Sequence, residues 1–162
     1  MKGHNMTDQN SLPLQKSLYF EEFEVGQSIS TVGRTVTEAD IVAFAALSND
    51  WTRIHTDAVY AAQHPFGQRV AHGLLIVSIA SGLVIRLGFI EETVLAFREI
   101  ESWKFSLPVF IGDTVHVRAT VTGSKALPRL GGGQVNFKVE VLNQDNKVVM
   151  KGIWSLLVKS NA

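Results

Sequence analysis

Residues 70–87 read VAHGLLIVSIASGLVIRL, a long stretch in which nearly every position is apolar. A helix that is apolar all round is usually enclosed by other structure. Small residues in the stretch would let a surrounding backbone approach closely; they are Ala71, Gly73, Ser78, Ala80, Ser81 and Gly82. A membrane span needs about 20 predominantly apolar residues, and this stretch is shorter and contains His72. It therefore predicts a helix buried in the core of a protein.

After Gly88 the apolar residues alternate with polar ones, which is typical of strands. We expect strands at residues 93–105, 114–122, 134–143 and 147–159. The last three strands are joined by turn-like residues and should pair as an antiparallel meander. A buried helix packed against such a sheet predicts an α+β fold in a single domain.

The N-terminal half of the chain is predicted to contain one strand and two helices. Residues 28–36 alternate and are β-branched, which indicates a strand. Thr37 and Asp40 have the spacing of a capping box, so a helix should begin there and end near Ser48. A short helix over residues 57–63 should follow an exposed turn.

That turn covers residues 50–55. The predicted domain covers residues 18–160, and residues 1–17 are expected to be a flexible N-terminal leader, because they are polar and carry no secretory signal.

The composition excludes several functional classes. The 162 residues include 15 basic and 15 acidic ones and no basic cluster, so neither nucleic acid nor a membrane is an expected partner. The chain has no cysteine, which excludes disulfides, thiolate catalysis and zinc–cysteine sites and fits a cytoplasmic protein. The five histidines do not show the spacing of metal ligands, so no metal is expected.

Asp50 and His55 stand five positions apart in the predicted turn. In a loop, two such residues can converge on one small ligand and share a water molecule. The imidazole changes charge near neutral pH, and the carboxylate orients it or exchanges a proton itself. Asp and His in a loop are, however, more often part of a surface turn in which the aspartate caps a helix.

His72 and Gly73 stand where the buried helix should begin. A histidine in an apolar stretch is commonly a core residue bonded to a backbone carbonyl, and the glycine beside it a packing contact. Alternatively, a glycine at a helix start lets a carbonyl oxygen approach the unpaired N–H groups and the positive end of the helix dipole. A thioester carbonyl held in this way becomes a better electron sink.

Several motifs follow one another in a fixed order along the chain. Asp50 and His55, with Thr56-Asp57 after them, precede the motif Val70-Ala71-His72-Gly73-Leu74-Leu75, and the segment from Phe105 to Asp113 contains Pro-x-x-x-Gly-Asp. Together they resemble the motifs of the MaoC-like (R)-specific enoyl-CoA hydratases, and the similarity runs from about Leu18 to Val158.

The resemblance implies a hotdog fold, in which a long antiparallel sheet wraps around a central helix, and a homodimer with joined sheets. Asp50 and His55 would be the catalytic pair, and the N–H of Gly73 would be the oxyanion donor. His72, Ser81 and Arg53 would lie behind these groups or line the substrate pocket.

The reaction implied by the family is the reversible hydration of a trans-2-enoyl-CoA to an (R)-3-hydroxyacyl-CoA. Coenzyme A would serve only as the substrate carrier, and no other cofactor is expected. The chain has Thr52-Arg53 where many family members have Asn-Pro. Arg53 is then a solvated side chain, a phosphate contact, or a partner for the carboxylate of a branched dicarboxylic (mesaconyl-like) acyl group.

The same residues are compatible with two other functions. A hotdog acyl-CoA thioesterase would also use a carboxylate and a helix-end amide, but would attack the thioester carbon. A non-catalytic acyl-CoA-binding or partner domain would use Asp50 and His55 only structurally.

Overall fold

The structure, a computed structural model, describes residues 16–161. Most of the expected leader therefore lies outside the described residues, and the boundary at residue 18 stays a prediction. The helices are α1 (Glu38–Ser48), α2 (Arg53–Thr56), α3 (Ala58–Ala62) and α4 (Gly73–Ile85). The strands are β1 (Ser28–Ser30), β2 (Arg34–Thr35), β3 (Val94–Phe105), β4 (Thr114–Leu127), β5 (Gly132–Leu142) and β6 (Val148–Lys159). None of the described helices is long and apolar enough to cross a membrane.

The sheet is antiparallel, with the strand order β1-β4-β5-β6-β3, and β2 pairs separately with β4. The helix α4 packs on this sheet and belongs to the same hydrophobic core as β4, β5 and β6. Six of its side chains are buried: Leu75, Ile76, Ile79, Ala80, Leu83 and Val84. This is the α+β hotdog architecture, a sheet around one apolar helix, as expected.

Two strand predictions are corrected by the structure. Residues 28–36 form the two short strands β1 and β2 instead of one. Between them, the N–H of Thr31 donates to the carbonyl of Val117, and the hydroxyl of Thr31 accepts from the N–H of Val117. Residues 123–133 are not a long turn, because β4 continues to Leu127 and pairs with β5 from Gly132 onwards. The alternation of apolar residues ends at Thr122 because the distal part of this hairpin is largely exposed.

The capping box predicted for α1 is present. The hydroxyl of Thr37 accepts a hydrogen bond from the N–H of Asp40, and the Asp40 carboxylate accepts one from the N–H of Thr37. The helix ends at Asn49, whose φ of 59° turns the chain into the segment that carries Asp50.

The Pro-x-x-x-Gly-Asp segment holds the chain just before α4. Gly112 has a φ of 97°, a conformation that glycine adopts readily, and the Asp113 carboxylate accepts a bond from the N–H of Phe110. Phe110 forms an isolated β-bridge with Val70, and the carbonyl of Val109 accepts a bond from the N–H of Ala71. The turn therefore fixes the backbone that leads into the start of α4.

Candidate active site

Asp50 follows α1 and is partly exposed. One carboxylate oxygen, Oδ1, accepts hydrogen bonds from the hydroxyl of Thr52 (2.5 Å) and from its backbone N–H (3.1 Å). The hydroxyl of Thr52, then its N–H, hold the pKa of the Asp50 carboxyl below its ordinary value, and His55 and His72 act in the same direction. Asp50 is therefore ionised at neutral pH.

His55 lies in α2 and is buried, with 8% of its surface exposed. The prediction of an exposed turn over residues 50–55 is wrong in this respect, because residues 53–56 form a helical turn that packs His55 inward. The His55 ring nitrogen Nδ1 lies 2.8 Å from the carbonyl oxygen of Val70. A carbonyl oxygen can only accept, so Nδ1 donates, and Nε2 of the neutral ring is left as an acceptor.

Burial lowers the pKa of His55 from its ordinary value. The carbonyl of Val70 opposes this shift, His72 adds to it, and the negative charge of Asp50 opposes it. At neutral pH the pair is thus a carboxylate beside an unprotonated imidazole.

His72 is the residue before the first turn of α4, and 2% of its surface is exposed. Its Nε2 lies 2.9 Å from the backbone carbonyl oxygen of Asp50. The rings of His55 and His72 are stacked, with centroids 3.9 Å apart and planes 29° apart. One carboxylate oxygen of Asp50 and one ring nitrogen of each histidine lie within 4.8 Å of one another.

This cluster of three is the only group among residues 16–161 whose possible ligand atoms lie close enough together to hold a metal ion. Catalytic zinc sites use three protein ligands. Here Nδ1 of His55 and Nε2 of His72 already bond to backbone carbonyls, and Nδ1 of His72 is buried. Asp50 and Nε2 of His55 remain, which is one ligand short; the expectation of no metal stays a prediction.

Gly73 is the first residue of α4, and its N–H has no acceptor among the described residues. It lines a groove of about 440 Å³. The walls of the groove are mainly apolar and include Phe66, Leu74, Phe105, Leu107 and Met150. A Cβ atom at position 73 would lie 2.6 Å from the ring of Phe105, so no side chain fits there without moving that ring.

Ser81 is not brought to this cluster. It lies eight residues beyond Gly73, about 12 Å along the helix axis, and lines a separate apolar cavity of about 250 Å³ with Val84, Phe97 and Trp154. Its role as a pocket residue stays a prediction.

Arg53 is exposed and already has a carboxylate partner. Its Nε and Nη2 atoms donate to Oδ2 of Asp57, at 3.0 and 2.8 Å. Its guanidinium also lies 4.3 Å above the ring of Tyr60. A carboxylate on the substrate would therefore compete with Asp57 for Arg53.

Residues 21–143 match the family described as MaoC like domain. The chain belongs to the MaoC-like family. Protein MaoC of Klebsiella aerogenes is 42% identical over 120 residues, which are 74% of this chain and 35% of that protein. The chain thus spans about a third of the length of this relative.

Other MaoC-like proteins extend the comparison. A Rhodospirillum rubrum protein named (R)-specific enoyl-CoA hydratase is 41% identical over 105 residues, 65% of this chain and 70% of that protein. R-hydratase PhaJ1 from Pseudomonas aeruginosa superposes with a TM-score of 0.74 at 29% identity, over 90% of this chain and 88% of that one. A Mycobacterium tuberculosis protein with a double hotdog fold superposes with a TM-score of 0.77 at 18% identity, over 90% of this chain and 45% of that one, which supports the fold alone.

Two contributors to this MaoC-like site escaped the sequence reasoning. Thr52 supplies both hydrogen bonds that the Asp50 carboxylate accepts, and so braces the loop in which many family members have Asn-Pro. The sequence places Phe105 only at the end of a predicted strand, but its ring lies against Gly73, and the residue is 56% exposed. The role of Thr52 could have been predicted, because a threonine two residues after an aspartate can bond to its carboxylate. The role of Phe105 could not, because its contact with Gly73 depends on how the sheet packs.

Proposed function

We propose that this chain is an enzyme that reversibly hydrates a trans-2-enoyl-CoA thioester to an (R)-3-hydroxyacyl-CoA. The observation that carries the proposal is the position of two hydrogen-bond acceptors, the Asp50 carboxylate and Nε2 of His55, near an unpaired helix N-terminal N–H at Gly73. The names of the relatives support the same class of reaction and the (R) configuration.

The two acceptors suit a bound water molecule. Normal hydrogen-bond lengths place two acceptors of one water about 4.6 Å apart, and a carboxylate oxygen of Asp50 and a ring nitrogen of His55 lie within 4.8 Å of each other. A water that gives one O–H to Asp50 and the other to His55 has its oxygen lone pairs free to attack C3 of the enoyl group.

The N–H of Gly73 would bind the thioester carbonyl oxygen. As the water oxygen bonds to C3, the π electrons move toward C2 and the carbonyl, and negative charge builds up on that oxygen. A fixed N–H at the positive end of a helix stabilises this charge without having to reorganise.

The proton balance follows from the ionisation of the pair. Both Asp50 and His55 begin unprotonated, so the only proton that they can return to C2 is the one taken from the water. Water thus adds across the double bond as OH at C3 and H at C2, on one face of the substrate. Dehydration runs through the same steps in reverse.

We further propose an apolar acyl group without a second carboxylate. The groove beside Gly73 has mainly apolar walls, and Arg53, which lies between Asp50 and His55 in the sequence, is bound by Asp57. A dicarboxylic acyl group remains the alternative substrate, and it requires Arg53 to leave Asp57. Coenzyme A is the proposed carrier, and a cytoplasmic location is part of the same proposal.

The proposed assembly is a homodimer that joins two sheets through β3. This strand pairs with β6 on one side and has no partner strand on the other among the described residues. It also exposes Leu95, Phe97 and Ile100. An unpaired, apolar edge is a template for pairing with another chain. Light scattering should give a dimer mass for the wild type, and Ile100→Glu should lower it toward a monomer, whereas Val32→Glu on an exposed loop should not.

The deciding experiment follows the purified protein with crotonyl-CoA and longer enoyl-CoAs. Loss of the absorbance of the conjugated thioester, with an (R)-3-hydroxyacyl product on a chiral column, supports the proposal. Release of free thiol from saturated acyl-CoAs, without hydration, supports the thioesterase. Saturable binding without turnover of either kind would reduce the chain to a binding domain.

A further inference from the structure

His72 joins the two halves of the proposed site. Its backbone begins the turn whose next N–H belongs to Gly73, and its side chain reaches the backbone carbonyl of Asp50 through Nε2. One residue therefore links the segment that would bind the water to the helix end that would bind the thioester carbonyl.

The hydrogen bond fixes the tautomer of His72. The carbonyl oxygen of Asp50 only accepts, so Nε2 carries the hydrogen. The other nitrogen, Nδ1, is buried and has no hydrogen-bond partner among the described residues.

The ring is also fixed by its neighbours. His55 stacks against it at 3.9 Å, and the ring of Phe44, on α1, lies 5.1 Å away at 54°. His72 is thus held between α1 and α2 and cannot swing out toward substrate. With Nε2 occupied and Nδ1 buried, it has no atom to offer to the reacting groups.

We propose that His72 is a positioning residue, which sets the distance between Asp50 and the Gly73 N–H and supports the ring of His55 from behind. This inference rests on the proposed hydration. In this role the hydrogen bond from Nε2 raises the rate of hydration by fixing the position of Asp50. The ring of His72 fixes the orientation of the His55 ring, although His72 does not contact the substrate. Small misplacements of reacting groups can cost about a hundredfold in rate.

The two contributions can be separated by substitution. His72→Phe keeps a ring beside His55 and removes the bond to Asp50, whereas His72→Gln keeps an N–H donor near the place of Nε2. We expect His72→Phe to lower kcat at least about tenfold with KM within about twofold, because only the geometry of the transition state is disturbed. His72→Gln should restore part of this loss. His116→Phe, a histidine on β4 outside the site, should leave both constants near wild type.

Nitrogen NMR of the histidines tests the same geometry without activity. We expect the Nε2–H tautomer for His72 and the Nδ1–H tautomer for His55, with the signals assigned from His72→Phe and His55→Gln. An Nδ1–H tautomer at His72 would overturn the inference, whether or not the protein hydrates enoyl-CoA. A folded His72→Phe protein with wild-type kcat would also overturn it. If the wild type shows the expected tautomer at each histidine but no hydration, the positions of the two rings are confirmed and the proposed function is wrong.

Discussion

The ring of Phe105, at the end of β3, lies against Gly73, at the start of α4, so closely that a Cβ at position 73 would be 2.6 Å from a ring carbon. This contact forms one wall of the groove beside the proposed carbonyl site. A residue with a side chain at position 73 would therefore displace a wall of this groove.

Gly73→Ala should lower kcat/KM at least about tenfold. Because the variant keeps the N–H, the loss should stay below the roughly hundredfold loss that is typical of a deleted oxyanion donor. The added methyl group would obstruct the carbonyl and displace Phe105. Gly82→Ala is a matched control on the same helix, since a Cβ there meets no atom within 4 Å. Steady-state hydration rates measure both. Equal activity of the two variants would remove Gly73 from the proposed site.

Asp50→Asn and His55→Gln should each lower kcat by about a hundredfold or more, the usual scale for a lost acid–base group. Either change replaces a basic group with an amide, which cannot take a proton from the attacking water. Asp145→Asn and His116→Gln provide the controls at an exposed turn and on β4. The rates are measured on proteins whose circular dichroism and unfolding midpoints match the wild type. A variant that retains near-wild-type hydration excludes its residue from the pair.

The acid limb of the kcat/KM profile should have its midpoint below the ordinary histidine pKa of about 6.5. Hydration requires His55 to be unprotonated, and burial lowers its pKa, so activity should persist as the pH falls past that value. Below the lowered pKa, protonation of Nε2 removes the acceptor and the rate falls. A profile in overlapping buffers tests this, and a midpoint above the ordinary histidine value would contradict it.

Arg53→Ala should change the ratio of rates on monocarboxylic and dicarboxylic enoyl-CoAs by less than about twofold. Arg53 is already paired with Asp57, and an exposed ion pair with a substrate carboxylate would contribute little to binding. A reaction in which the two substrates compete for the enzyme gives the ratio of their rates directly. A selective loss on the dicarboxylic substrate would instead establish the alternative acyl group. Asp57→Asn, which frees the guanidinium, should then raise that rate.

The sequence by itself determined the layers of this protein. The uninterrupted apolar run before Gly88 had to be enclosed, and the alternation after it had to form strands with one buried face, so a sheet around α4 follows from burial alone. The capping box at Thr37 and the candidate pair Asp50 and His55 were equally readable, because each depends on spacing within a short segment.

Only the tertiary structure decided how the distant segments meet. The tautomer of His55 depends on the carbonyl of Val70, fifteen residues away, and the tautomer of His72 on the carbonyl of Asp50, twenty-two residues away. The contact between Gly73 and Phe105 depends on where β3 ends. Backbone carbonyls carry no side-chain signal, and a wall formed by another strand has no local pattern, so these relationships arise only when the chain packs.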